Sequence, residues 1–66
     1  MLSKEQYDYY KQFELVINLF QKTGEYVGGC EALFDYMKIA DRSCSSCKAA
    51  ALIEAYNGIQ GYERNM

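Results

Sequence analysis

The chain has no histidine, no proline and no tryptophan among its 66 residues. Without histidine it lacks the usual side chain for general acid–base chemistry near neutral pH and the commonest nitrogen ligand for metals. Without proline, nothing in the sequence stops a helix by removing an amide donor. Long apolar runs are missing too. The best candidate, residues 15–20, is interrupted by Asn18 and falls well short of the roughly 18 residues of a membrane span. The N-terminal stretch MLSKEQYDYY is polar and has no signal-peptide core. Charge of either sign is modest, at 24% charged residues and net −2, with acids between the scattered Lys and Arg. That pattern excludes the concentrated basic surface that phosphate backbones require. The expectations are no membrane, no nucleic acid, and a cytoplasmic or otherwise intracellular setting.

What is present is apolar and aromatic. Half the residues are hydrophobic, and seven are Tyr and three Phe, so the chain can build a core and is not disordered. Its length makes residues 1–66 one domain. A chain this short buries only about 60% of its unfolded surface. Small scaffolds of this size usually add a disulfide, a metal, tight helix packing or an oligomer.

The pattern is helical throughout, and an all-α three-helix bundle is expected, with helices over residues 4–22, 30–40 and 44–60. Ser3 and Gln6 have the spacing of a capping box, with Leu2 and Tyr7 placed as a hydrophobic staple. Thr23-Gly24 is a stop signal. Tyr9, Tyr10, Phe13, Val16, Ile17 and Phe20 fall on one broad face at 100° per residue. Tyr26 and Val27 are too apolar for an idle loop and should fold over the core. The second helix turns Cys30, Leu33, Met37 and Ala40 inward, widened by Phe34 and Tyr36. Asp41 or Ser43 can cap the third helix, whose face is Cys44, Cys47, Ala51, Leu52, Ala55 and Ile59. Short connections make neighbouring helices roughly antiparallel.

Cys44-Ser45-Ser46-Cys47 is the sharpest local feature. A dithiol at i and i+3 can bridge, and a helix N-terminus stabilises a thiolate; but thioredoxin-like motifs follow a strand, and no strand is visible. The same spacing is half of a zinc site, with Cys30 as a third ligand. The fourth ligand would have to come from Asp41 or a second chain. The preferred reading is that Cys30, Cys44 and Cys47 pack as small apolar core residues. The expected cofactor is therefore none. Gly28-Gly29 precedes a helix, but no strand precedes it and Glu25 and Glu31 flank it, so it reads as a turn and not a phosphate loop.

Apolar residues on second sides of the helices carry the functional expectation. Tyr7, Leu15 and Leu19 on the first helix, and Ile53 and Tyr56 on the third, exceed what one buried face needs. These five are the expected interface of a non-enzymatic protein–protein interaction module that oligomerises or modulates a partner protein. The compact, helix-only style resembles that of small phage-encoded accessory proteins, a likeness of size and style that would imply a virion component or a host-factor inhibitor. Two alternatives stand beside it: a zinc- or thiol-dependent module built on Cys30, Cys44 and Cys47, and a small-nucleotide binder with tyrosines lining sites between subunits.

Overall fold

The computed structural model describes residues 2–39 and 43–66. It is an all-α bundle with no strand among the described residues. Its helices are α1 (Lys4–Lys11), α2 (Glu14–Thr23), α3 (Glu31–Tyr36) and α4 (Ser45–Arg64). The 20 residues of α4 span about 30 Å at 1.5 Å per residue, which accounts for most of the 35 Å long axis.

α1 begins at the expected capping box. Ser3 Oγ accepts from the Gln6 amide at 3.1 Å, and the Gln6 side chain accepts from the Ser3 amide at 2.9 Å. The single long helix expected over residues 4–22 is instead interrupted at Gln12–Phe13. Their amides reach back only three residues, to Tyr9 and Tyr10 at 3.2 and 3.0 Å. Neither residue is a helix breaker, so the interruption comes from packing. α1 lies on the C-terminal part of α4, with Leu2 at Gly58 and Tyr7 at Tyr62. α2 runs back along α4, and its Phe20 lies beside Ser45 and Ala49. One straight helix cannot follow both directions. α2 ends as expected at Gly24, whose φ of 78° is left-handed.

α3 is shorter than residues 30–40. It ends in a Schellman arrangement: the Lys38 amide donates to Asp35 O at 3.1 Å and the Ile39 amide to Phe34 O at 3.0 Å. This motif needs a left-handed residue after the C-cap, usually Gly. Lys38 supplies it, with φ 62°, and without glycine the signal was invisible in the sequence. The turn brings Ile39 back against the core. Ala40, Asp41 and the capping role considered for Asp41 lie outside the described residues.

α4 runs past residue 60 to Arg64, with Gly58 and Gly61 inside it. Gly58 is a point of close approach: a Cβ there would sit 3.0 Å from Leu2. The last turn is held by Tyr62 and Glu63, which engage α1.

The core is Tyr10, Ile17, Cys30, Leu33, Phe34, Ala51, Leu52, Ala55 and Ile59, close to the faces read from helical periodicity. No buried side-chain nitrogen or oxygen lacks a hydrogen-bond partner among the described residues. Tyr26 packs edge-on against Phe34 at 5.3 Å, as anticipated. Val27 does not fold over the core and is 64% exposed.

Candidate functional surface and cysteine pair

The five expected interface residues separate into two groups. Tyr7 and Tyr56 turn inward. The Tyr7 ring stacks on Tyr62 with centroids 4.1 Å apart, its hydroxyl donates to Glu63 at 2.7 Å, and Lys11 Nζ lies 5.8 Å from its centroid. Tyr56 is half-buried against the core. Both point off the main face of an ideal helix, but neighbouring elements reach round to meet them.

Leu15, Leu19 and Ile53 stay exposed, at 86%, 40% and 44%. Leu15 and Leu19 are one turn apart on α2. Each is two positions from the fully buried Ile17, hence about 200° from it round the helix. Ile53 stands in the same relation to the buried Ala51 and Ala55 on α4. Because α2 and α4 meet through their buried faces, the α2 leucines and Ile53 look out in different directions. No single docked helix covers all three. A lone half-exposed isoleucine is ordinary for a protein surface; two leucines stacked along one helix face are more telling.

The flanking charges on α2 follow from its ends. Glu14 sits in its first turn and Lys22 in its last, each favourable to the helix dipole. Lys11 bridges Glu14 and Glu63 across the α1–α2 junction. These contacts draw the Lys11 ammonium to a higher pKa, chiefly through Glu14 and then Glu63.

No family model, curated protein or solved structure matches this chain. Its function must therefore be read from its own residues.

The cysteines depart from the expectation that all three pack in the core. Cys30 does: it is fully buried, and burial pushes its thiol pKa up. Cys44 and Cys47 are instead joined as a disulfide. Cys44 is half-buried and Cys47 exposed. The reason lies in the start of α4. Cys44 is its N-cap, and Cys44 Sγ accepts from the Cys47 amide at 3.1 Å, so the sulfur does the capping that an oxygen usually does. This geometry holds the two cysteines close, with their Cα atoms 5.2 Å apart. The zinc reading required Cys30 to join this pair. Among the described residues no group of three His, Cys, Asp or Glu side chains is placed to hold a metal ion, and sulfurs bonded to each other are not thiolate ligands.

A cleft of about 560 Å³ opens at the start of α4, lined by Phe20, Glu25, Tyr26, Ser45, Ser46 and Lys48. Tyr26 organises its wall. Its hydroxyl accepts from the Cys30 amide at 2.9 Å and donates to Glu31 at 3.0 Å, and Lys48 Nζ lies 5.7 Å from its ring centroid. Cys30 is the N-cap of α3 and makes no side-chain cap of its own; the tyrosine oxygen satisfies the Cys30 amide itself. Gly28 and Gly29, with φ of 104° and 95°, form the turn that makes this possible, and α3 behind them has only six residues.

Proposed function

We propose that this chain is a non-enzymatic interaction module that pairs with a second copy of itself through the outer face of α2. The observation that carries the reading is the exposure of Leu15 and Leu19, 86% and 40%, one turn apart on a helix whose opposite face is already buried. Fully burying a leucine contributes about 1.5–3 kcal/mol, and a two-fold pair would bury four. An antiparallel arrangement sets Leu15 beside the second copy's Leu19. It also brings the Glu14 end of one α2 near the Lys22 end of the other. α2 has only ten residues, so the contact is small and an affinity in the micromolar range is expected. The pairing also answers the thin stability of a 66-residue chain.

A cytoplasmic setting belongs to the same proposal. It is supported by the buried free thiol of Cys30.

Sedimentation equilibrium of Leu15→Glu and Ile53→Glu beside the wild type tests the reading. Leu15→Glu should be monomeric at concentrations where the wild type associates, and Ile53→Glu should behave as wild type. Equal association of all three would refute it.

A further inference from the structure

We infer that Cys44 and Cys47 form a reversible thiol–disulfide exchange site, open to low-molecular-weight thiols, in which Cys47 is the attacked sulfur and Cys44 the leaving group. Exchange at this pair does not depend on pairing through α2. Both cysteines lie at the first turn of one helix, three positions apart, so the bond ties α4 to no other element and closes a very short loop. Disulfides that stabilise by constraining the unfolded chain gain most from long loops. Its surroundings also differ from those of a structural disulfide. Cys47 is exposed. A thiol therefore has a path to the bond.

The two sulfurs are not equivalent. Cys44 Sγ receives the Cys47 amide hydrogen at 3.1 Å at the N-terminus of a 20-residue helix. Both features stabilise negative charge on that sulfur. A sulfur that carries charge well leaves faster in exchange. A thiolate RS⁻ attacks Cys47 Sγ, a new S–S bond forms there, the Cys44–Cys47 bond breaks, and its electron pair departs on Cys44. A second RS⁻ then attacks the mixed disulfide, releasing RSSR and the Cys47 thiolate, and both cysteine sulfurs take up protons according to pH. Overall, two RSH are oxidised to RSSR while the protein disulfide is reduced to a dithiol by two electrons. Stabilising the reduced form in this way makes a disulfide easier to reduce. In a reducing cytoplasm the pair would rest as the dithiol and oxidise when the thiol pool does, as cytosolic disulfides generally do.

Cys30 supplies the internal comparison, since it is fully buried. The full-length protein is equilibrated in glutathione mixtures from fully oxidised to fully reduced, quenched with an alkylating reagent, and mapped by mass. The expected result is smooth interconversion of the Cys44–Cys47 pair within that range, with Cys30 unmodified in the oxidised protein and protected in the reduced one. Alkylation rates at pH 7 in Cys47→Ser and Cys44→Ser, each with one thiol of the pair left, then assign the roles. Cys44 in the first should react at least tenfold faster than Cys47 in the second. A pair that stays oxidised in excess reduced glutathione overturns the proposal. So does a reduced protein whose Cys30 becomes as reactive as the pair, because the bond would then be holding the fold. Equal rates for Cys44 and Cys47 overturn the assignment of the leaving group.

Discussion

The Tyr7 hydroxyl donates to the Glu63 carboxylate at 2.7 Å, joining residues 56 positions apart. Lys11 donates to the same oxygen at 3.0 Å, so one carboxylate fastens α1 and the α1–α2 junction to the last turn of α4.

That junction should give stability a characteristic pH dependence. The Tyr7 hydrogen bond, and then Lys11, hold the Glu63 pKa below the usual range. The Glu63 contribution is therefore present above the ordinary glutamate pKa of about 4.3 and is lost as pH falls through its lower folded value. Lys11 and Tyr7 are raised, mainly by their bonds to Glu14 and Glu63 respectively. Their contributions hold below about pH 10 and disappear as pH rises through the folded values. Thermal melts of wild type and Glu63→Gln from pH 7 to 3 check the acid limb. The gap in Tm should narrow as pH falls; a gap of constant size would show that Glu63 does not carry it.

Tyr26→Phe should cost about 1–2 kcal/mol, because the buried Cys30 amide loses its acceptor while the ring keeps its contact with Phe34. Urea denaturation measures this directly. A change below a few tenths of a kcal/mol would mean that solvent replaces the hydroxyl.

Lys38→Gly should stabilise the fold. A left-handed non-glycine residue costs about 1–2 kcal/mol, and the extra freedom of glycine in the unfolded chain takes back about 0.4–1 kcal/mol. The net gain lies between about 0 and 1.6 kcal/mol, which at its upper end is a rise of several degrees in Tm for a domain of this size. A lower Tm would count against the Schellman turn at Lys38 and Ile39.

The two glycines inside α4 should respond differently to alanine. Gly61 has nothing within 4 Å of an added Cβ, so Gly61→Ala should gain close to the helix-propensity difference of about 1 kcal/mol. At Gly58 the new Cβ meets Leu2 at 3.0 Å, and the same change should forfeit most or all of that gain. Equal gains at both positions would show that the Leu2 contact is unimportant.

These sites mark where the sequence was legible. The helical class, the Ser3–Gln6 box, the Gly24 stop and the buried faces of α2 and α4 depend on residues within a few positions of one another, and periodicity reports them well. The break at Gln12–Phe13, the inward turn of Tyr7 and the persistence of α4 through Gly58 and Gly61 depend on contacts between α1 and α4. Nothing near Tyr7 in the chain announces Glu63 or Tyr62. The bond between Cys44 and Cys47 was within reach of the spacing alone. An ideal helix places both on the face of Ala51 and Ala55, which favours core packing, whereas in the fold Cys47 is exposed at the start of α4. Local pattern alone marks Leu15, Leu19 and Ile53 as surplus, and they are exposed, but only the fold shows that they look in different directions.

Native mass spectrometry of the wild-type chain, purified without chelators and sprayed over a micromolar concentration series, tests the central proposal most directly. A species at twice the 7.6 kDa chain mass should appear, grow with concentration and be absent from Leu15→Glu. A chain that stays monomeric throughout the series, or a dimer that survives Leu15→Glu, would contradict it.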